Sequence, residues 1–424
     1  MRHFSYKNGE LYAEDVPLRD IAAKVGTPAY IYSTATFERH FKVFTEAFSD
    51  RDALVAYSVK ANSNLGVLAT LSKMGAGADV VSAGELARAL AVGIPGEKIV
   101  FSGVGKRADE MDMALKAGIK VFNVESLPEL YVLNQRAKIL GVKAPVAFRV
   151  NPDVSAGGHE KISTGKAENK FGIAWSSAEQ AYKEAAQLSN IEIVGVDVHI
   201  GSQITDLAPF EAAINKVGGL IARLREQGHT IKSFDVGGGL GIPYDSTNDV
   251  PPGPDEYGRL VKKLTADMDI ELIFEPGRMV AGNAGVLLSE VVYIKQGEDR
   301  NFAILDAAMN DLIRPALYEA YHEVEPVVEP KSDIRQPYDI VGPVCETGDT
   351  FAKHRHLPEL AQGDLVVFHS AGAYGSVLSS QYNTRPLIPE VLIKGDQFEV
   401  VRERPTIDEI LSGEHIPSWL TKSQ

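Results

Sequence analysis

The chain has 424 residues, of which 44% are hydrophobic and 24% are charged, and its formal net charge at pH 7 is −14. This length favours two domains, and this composition is typical of a globular protein and excludes a disordered or fibrous one. The acidic balance argues against nonspecific binding to nucleic acids or membrane surfaces, so we expect neither as a partner.

Cysteine content and hydropathy indicate the cellular compartment. The chain has one cysteine, Cys345, which excludes an intrachain disulfide. The N-terminal residues contain no apolar stretch of the kind found in secretory signals, and no run of about 18 apolar residues predicts a membrane span. We therefore expect a cytoplasmic protein.

From about residue 53 to residue 280, short apolar runs alternate with longer amphipathic stretches. The short runs are rich in β-branched residues and are bounded by Gly, Pro or Asp, which predicts buried strands. These strands are predicted at residues 54–59, 78–82, 99–102, 121–124, 146–150, 193–199, 234–236 and 272–274. Eight strands separated by helical patterns favour a closed parallel (β/α)8 TIM barrel over the alternative, an open doubly wound sheet.

Two of the intervening stretches show clear helical patterns, at residues 84–90 and 127–140. Pro128 suits the first turn of the second helix, where its missing N–H costs no hydrogen bond. Residues 156–170 are rich in Gly and Lys, and we expect a mobile loop there after the fifth strand.

After residue 285 the pattern changes to strand-like runs separated by turns, without intervening helices. The runs lie at residues 285–295, 301–306, 338–341, 364–369 and 391–394. This pattern predicts a second, mainly antiparallel β domain, which we expect residues 1–30 to join. The predicted division is thus a barrel at residues 31–283 and a β domain at residues 1–30 and 284–424.

Polar groups and glycines follow the predicted barrel strands, and in barrel enzymes these strand ends carry the active site. Lys60 directly follows the first strand. A lone Lys is usually a solvated surface charge, but in a dry barrel mouth it can lose its proton and form a Schiff base with a carbonyl. His199 ends the sixth strand; it is either a hydrogen-bonded core residue or a flat ring that stacks on a cofactor.

The loops after the seventh and eighth strands are where barrels commonly bind phosphate. Gly237, Gly238 and Gly239 follow the seventh strand, and Glu275-Pro276-Gly277-Arg278 follows the eighth. Glycines let backbone N–H groups approach a phosphate, although a tight turn into a helix explains a lone triplet about equally well. Together the two loops predict a phosphate site. No Walker A loop, zinc-ligand spacing or nucleophile elbow is present in the sequence, and no metal is expected.

These motifs resemble those of the barrel-type (fold III, alanine-racemase-like) pyridoxal-phosphate decarboxylases, and among them the branch that acts on diaminopimelate. The similarity runs nearly end to end, from Gly26-Thr27-Pro28 onward. It rests on Tyr57-Ser58-Val59-Lys60-Ala61-Asn62, His199-Ile200-Gly201-Ser202-Gln203, Asp235-Val236-Gly237-Gly238-Gly239, Glu275-Pro276-Gly277-Arg278, Arg314-Pro315-Ala316-Leu317-Tyr318, Gly342-Pro343-Val344-Cys345-Glu346 and Ala371-Gly372-Ala373-Tyr374.

The resemblance implies a role for each matching residue. Lys60 would bind pyridoxal 5'-phosphate covalently, His199 would stack on its ring, and Glu275 would face its ring nitrogen. The residues expected around the phosphate and the rest of the cofactor are Ser202, Gly237, Gly238, Gly239, Gly277, Arg278 and Tyr374. Cys345 would act from the neighbouring subunit of a homodimer, near the reacting side of the substrate.

The resemblance also implies the substrate and the reaction. Diaminopimelate carries an amino-acid group at both ends, and the expected reaction is its decarboxylation to L-lysine, the last step of lysine biosynthesis. Arg278 and Arg314 would bind the distal carboxylate, since Arg suits bidentate binding. Glu346 would bind the distal ammonium, and Tyr318 and Tyr374 would donate hydrogen bonds. Two alternatives stay open. The first is another enzyme on the same scaffold, either a decarboxylase of lysine, ornithine or arginine or a racemase. The second is a cofactor-binding protein without activity.

Overall fold

The computed structural model describes residues 3–155, 170–245, 250–298 and 300–421, and nearly all of the loop predicted at residues 156–170 lies outside them. The chain divides into two compact units. The first contains residues 34–284 and 372–377, and the second contains residues 3–33, 285–371 and 378 onward. No helix among the described residues is long and apolar enough to span a membrane.

The described strands, in chain order, are β1 (Phe4–Lys7), β2 (Glu10–Ala13), β3 (Val16–Pro17), β4 (Ala29–Ser33), β5 (Ala53–Ser58), β6 (Gly77–Val80), β7 (Ile99–Phe101), β8 (Val121–Val124), β9 (Ala144–Asn151), β10 (Ile173–Ala174), β11 (Ile191–Asp197), β12 (Ser233–Asp235), β13 (Glu271–Phe274), β14 (Gly285–Gln296), β15 (Asn301–Leu305), β16 (Val324–Pro326), β17 (Arg335–Val341), β18 (Thr350–Pro358), β19 (Leu365–Phe368), β20 (Glu390–Lys394) and β21 (Gln397–Arg402). The described helices are α1 (Leu18–Val25), α2 (Thr34–Glu46), α3 (Leu65–Lys73), α4 (Ala83–Ala91), α5 (Ala108–Ala117), α6 (Leu127–Leu140), α7 (Ala178–Ala185), α8 (Ala208–Glu226), α9 (Pro254–Leu264), α10 (Arg278–Ala281), α11 (Arg314–Tyr318) and α12 (Ile407–Leu411).

The first unit is a closed parallel barrel, which confirms the predicted fold. Its strands pair in the order β5, β6, β7, β8, β9, β11, β12 and β13, and β13 pairs with β5 to close the ring. The short β10 pairs with β9 beside the ring. The helices between successive strands supply the crossovers that parallel pairing requires.

Local signals explain why helix α6 has the bounds that its sequence predicts. The Ser126 hydroxyl accepts a hydrogen bond from the Glu129 N–H at 3.3 Å, and Pro128 occupies the first turn. Gly141 ends the helix with a φ of 68°, the left-handed conformation that glycine adopts at low cost.

The barrel interior has an apolar layer with a polar layer above it. The apolar layer consists of Ala56, Val100, Val121, Ala147 and Ile273. Alternate residues of a strand share one face, so the residue two positions later on each strand faces the same interior. Those residues are the buried Ser58, Ser102, Asn123, Arg149 and Glu275. The strands therefore change from apolar to polar toward their carboxyl ends, where the functional site lies.

The second unit is built from two sheets. Strands β1, β2 and β3 form a small antiparallel sheet. The larger sheet has the order β18-β17-β15-β14-β4-β20-β21, and β19 pairs with β14 and β16. Its pairing is mainly antiparallel, as predicted, with parallel contacts at β15–β17 and β4–β20. The apolar core of this unit includes Ile31, Leu288, Val367 and Val391.

Candidate active site

A cavity lies at the carboxyl ends of the barrel strands and is lined by side chains of the first unit. Every residue predicted to contact the cofactor lines this cavity: Lys60, His199, Ser202, Gly237, Gly238, Gly239, Glu275, Gly277, Arg278 and Tyr374. The remaining predicted site residues, Arg314, Tyr318, Cys345 and Glu346, belong to the second unit.

Lys60 lies in the turn that follows β5, and its amine is paired with a carboxylate. Lys60 Nζ lies 2.7 Å from Asp79 Oδ2, and Asp79 also accepts a 2.5 Å hydrogen bond from the Ser58 hydroxyl. Burial alone would lower the pKa of Lys60, but the side chain keeps about a third of its surface exposed, and the charge of Asp79 raises the pKa above its ordinary value. Asp79 therefore opposes the loss of the proton from this amine.

Asp79 is a site residue that the sequence analysis missed. It lies inside β6 and its side chain is fully buried. The signal was available: a charged residue inside an otherwise apolar strand must find a partner, because an isolated buried charge is costly. Lys60 is that partner.

Glu275 lies directly after β13, buried in a cluster of acids. Its Oε1 atom accepts hydrogen bonds from the Ser102 hydroxyl at 3.1 Å and from the Asn123 amide at 3.4 Å. Oxygens of Asp197, Asp235 and Glu275 lie within 4.8 Å of one another. Burial and the charge of Asp235 raise the pKa of Glu275 well above its ordinary range. Burial in this cluster favours the protonated form of the acids over a set of charged ligands for a cation.

His199 lies two residues beyond the end of β11, not at the strand end that was predicted. Its Nδ1 atom accepts the Gly238 N–H at 3.1 Å, and its carbonyl accepts a 3.3 Å hydrogen bond from Arg149. Burial, Arg149 and Lys60 lower the pKa of His199 well below its ordinary value. The ring is therefore neutral, and its 3.9 Å approach to Glu275 is not an ion pair.

The glycines at 237–239 pack against backbone more closely than any side chain allows. A Cβ atom would lie 2.4 Å from the Val198 carbonyl oxygen at Gly237, 2.2 Å from that of Glu275 at Gly238, and 2.5 Å from that of Gly201 at Gly239. Two of the N–H groups that were expected to face a phosphate form hydrogen bonds within the protein instead. The Gly237 N–H donates to Asp235, and the Gly238 N–H donates to His199. The glycines therefore let the segment after β12 pack closely against the segments that follow β11 and β13.

Arg278 begins α10 and contacts three polar side chains. It donates hydrogen bonds to the Ser202 hydroxyl at 2.9 Å and to the Tyr244 hydroxyl at 2.5 Å. Its guanidinium carbon lies 4.8 Å from the centre of the Tyr374 ring, a cation–π distance. Tyr244 was not predicted, because no strand end or motif marks it. A Cβ at Gly277 would lie 3.0 Å from the Cβ of Ser58, a tight contact that Ser58 would have to shift to relieve.

In the second unit, Arg314 and Tyr318 occupy the two ends of helix α11. Arg314 is buried, and its Nη1 atom lies 2.8 Å from His322 Nε2. Cys345 and Glu346 are exposed, in the segment between β17 and β18. The Cys345 N–H donates to the Asn383 side chain at 3.2 Å, and a hydrogen bond to Glu346 raises the pKa of Tyr382.

Comparison with known proteins agrees with this geometry. Residues 34–282 match the family of the pyridoxal-dependent decarboxylases, pyridoxal binding domain. The chain is 49% identical to diaminopimelate decarboxylase of Zymomonas mobilis, over 98% of this chain and 99% of the relative. It is 51% identical to that of Vibrio cholerae, with the same coverage.

A solved structure shows the same fold. Diaminopimelate decarboxylase from Helicobacter pylori, in complex with L-lysine, superposes with a TM-score of 0.89 at 40% identity, covering 93% of this chain and 98% of that chain. The likeness extends over both units. The chain therefore belongs to the pyridoxal-dependent decarboxylases and, within them, to the diaminopimelate decarboxylase family.

Proposed function

We propose that this protein decarboxylates meso-2,6-diaminopimelate to L-lysine and carbon dioxide, the last step of lysine biosynthesis, with pyridoxal 5'-phosphate bound in the barrel. One observation carries the proposal: in a member of this family, Lys60, His199, Glu275 and the glycines at 237–239 line one cavity. The expected place of action is the cytoplasm.

The cavity residues fit the cofactor. Lys60 supplies an amine for the aldehyde, the neutral His199 ring supplies a flat face, and Ser202 and Arg278 supply hydroxyl and guanidinium donors for a phosphate. Arg and hydroxyl donors are suited to phosphate. When bound, pyridoxal phosphate withdraws the electron pair left at Cα by the loss of carbon dioxide.

Glu275 would hold a proton shared with the ring nitrogen. Its buried surroundings and the neighbouring Asp235 favour its protonated form, so the carboxyl group can share a proton with a ring nitrogen that approaches it. Ser102 and Asn123 fix the carboxyl group through the hydrogen bonds to Oε1. The fixed carboxyl group of Glu275 would therefore stabilise a positive charge on the ring nitrogen of the cofactor.

After the loss of carbon dioxide, Cα needs a proton, and two groups are candidates to deliver it. The amine of Lys60 carries a proton when it is paired with Asp79, because that ion pair raises its pKa. The exposed thiol of Cys345 is the other candidate. Kinetics of Cys345→Ser, with solvent hydrogen isotope measured at Cε of L-lysine, the carbon that carried the lost carboxylate, distinguish the two: loss of stereospecific incorporation assigns the proton to Cys345.

Substrate recognition would use the charged groups predicted for the distal end. Arg278 and Arg314 are the candidates for the distal carboxylate, Glu346 would bind the distal ammonium, and Tyr318 and Tyr374 would donate hydrogen bonds. The Helicobacter pylori relative is in complex with L-lysine, a ligand that retains this distal amino-acid group. Carbon dioxide release from diaminopimelate, lysine, ornithine and arginine tests it, and preference for a substrate without the second carboxylate would contradict it.

We further propose a homodimer with shared sites, in which Cys345 and Glu346 complete the site of a partner subunit. Both residues are exposed, although their family role requires contact with substrate. Mixing the inactive Lys60→Ala and Cys345→Ala proteins should restore part of the activity, because a mixed dimer has one intact site. No recovery in verified mixed dimers would contradict shared sites.

A further inference from the structure

Arg314 is held by a histidine that neither the motifs nor the proposed roles include. The Nη1 atom of Arg314 lies 2.8 Å from Nε2 of His322, and the Nδ1 atom of His322 lies 2.8 Å from the His369 carbonyl oxygen. The side chains of Arg314 and His322 are both buried, with residue exposures of 6% and 2%. The ring therefore bridges the guanidinium and a main-chain carbonyl.

Donor and acceptor chemistry allows one state of this ring. A guanidinium has donors and no acceptor, so His322 Nε2 must accept from Arg314. A carbonyl oxygen has no proton, so His322 Nδ1 must carry the hydrogen that it accepts. Both contacts are made only by the neutral ring with its hydrogen on Nδ1.

The backbone on both sides of this bridge is fixed by strand pairing. Strands β16 and β19 pair with Val324 opposite Phe368, and the His369 N–H donates to the Glu323 carbonyl at 2.8 Å. The His322 carbonyl accepts a 3.1 Å hydrogen bond from Arg355. The Nε2 atom of His369 lies 2.7 Å from Glu325 Oε2. The residue whose carbonyl contacts His322 is therefore held through its side chain as well.

We propose that His322 is a positioning residue that determines specificity for the second carboxylate of the substrate. A guanidinium is planar and its donors form a rigid fork, so fixing one N–H sets the direction of the others. His322 thereby holds Arg314 in one orientation before substrate binds, which reduces the entropy lost on binding. This inference rests on the proposed role of Arg314 in binding the distal carboxylate.

Two substitutions separate the hydrogen bond to Arg314 from the rest of the side chain. The amide of His322→Asn replaces the Nδ1 side of the ring and does not reach Arg314. The longer amide of His322→Gln places an acceptor near the position of Nε2. His356→Gln, at an exposed histidine in β18, is the matched control for an amide in place of an imidazole.

Three constants are measured for the cofactor-loaded enzymes: KM for diaminopimelate, and the inhibition constants of L-lysine and of cadaverine. L-lysine keeps the distal carboxylate, whereas cadaverine has the same chain without it. We expect His322→Asn to raise the first two constants by about 10- to 100-fold, the range for a hydrogen bond to a charged group. The inhibition constant of cadaverine should stay within about twofold of the wild-type value. His322→Gln should bring KM for diaminopimelate and the inhibition constant of L-lysine most of the way back to their wild-type values.

A double-mutant cycle with Arg314→Ala identifies the route of the effect. If His322 acts through Arg314, His322→Asn should add little to the loss already caused by Arg314→Ala. Equal effects of His322→Asn and His322→Gln, an equal rise for cadaverine, or additive losses in the cycle would each overturn the inference.

The proposed function and this inference fail in different ways. If Arg314→Ala raises KM while His322→Asn keeps wild-type constants, the inference is wrong and the role of Arg314 stands. If Arg314→Ala changes none of the three constants, the proposed role of Arg314 is wrong and the inference falls with it. Melting temperatures near that of the wild type show that each variant is folded.

Discussion

The amine of Lys60 and the carboxylate of Asp79 form an ion pair of 2.7 Å in the barrel mouth, and Asp79 is fully buried there. The pair opposes the loss of the Lys60 proton that burial alone would favour. A buried carboxylate beside the reactive amine thus sets the amine's charge before cofactor binds. The protein must release this proton before the amine can attack an aldehyde.

Asp79→Asn should make the amine reactive at lower pH. Without the Asp79 charge, burial lowers the pKa of Lys60 with less opposition, so the neutral fraction of the amine at a given pH increases. The rate at which apoprotein takes up pyridoxal phosphate should therefore shift to lower pH, as measured by absorbance of the bound cofactor. Asp50→Asn, which removes the exposed partner of Lys262, is the control. An unchanged pH profile in Asp79→Asn would contradict this account.

Glu85 should make the folded protein less stable as pH rises from about 4.5 to neutrality. Burial raises the pKa of Glu85 to about 7 from 4.5, although the Val81 N–H donates to its carboxylate. The folded state therefore binds this proton more tightly than the unfolded state, so stability is lost between about pH 4.5 and pH 7. Glu85→Gln should be more stable than the wild type at pH 8, by about 1–3 kcal/mol after solvent screening, and equal to it at pH 4.

Melting temperatures at pH 4, 6 and 8 measure this effect. The control is Glu179→Gln, because Glu179 is exposed and its hydrogen bond to Arg223 lowers its pKa, which is the opposite direction. A stabilisation by Glu85→Gln that is the same at all three values would show that the effect does not come from ionisation.

Gly238→Ala should disrupt the cavity, because the new Cβ would lie 2.2 Å from the Glu275 carbonyl oxygen. Relieving this contact moves the backbone that carries Glu275 and the N–H that donates to His199. We expect a destabilisation of about 1–3 kcal/mol and at least about tenfold weaker cofactor binding. Cofactor titration and thermal unfolding measure both. Gly105→Ala is the control, since nothing lies within 4 Å of a Cβ there; equal effects of the two variants would contradict the prediction.

Glu275→Gln should reduce turnover more than substrate affinity. An amide cannot share a proton with the ring nitrogen, so the electron-withdrawing state of the cofactor is stabilised less. We expect kcat to fall by about 10²- to 10³-fold while KM for diaminopimelate changes by less than about threefold. Steady-state kinetics of cofactor-saturated enzyme measure this. A kcat within about threefold of the wild type would show that Glu275 does not act on the ring.

Several elements could be predicted from sequence because their signals are local. The bounds of β8 and α6 equal the predicted ones, since a β-branched run and a capped, proline-started helix specify their own ends. Strand β11 ends at Asp197 and not at His199, because the chain leaves the ring before the apolar pattern stops. Asp79 and Tyr244 were missed because neither follows a strand end.

The order of residues along the chain was enough to predict a barrel with Lys60, the glycines at 237–239 and Glu275 at one end, because parallel strands place their carboxyl ends at the same edge. The charge on these groups was decided only by the tertiary structure. Lys60 meets Asp79, and Glu275 meets Asp235, through contacts between different strands. The pKa of a buried group depends on its distance through space to other charges and on its loss of water, and neither quantity is contained in the spacing of residues along a chain.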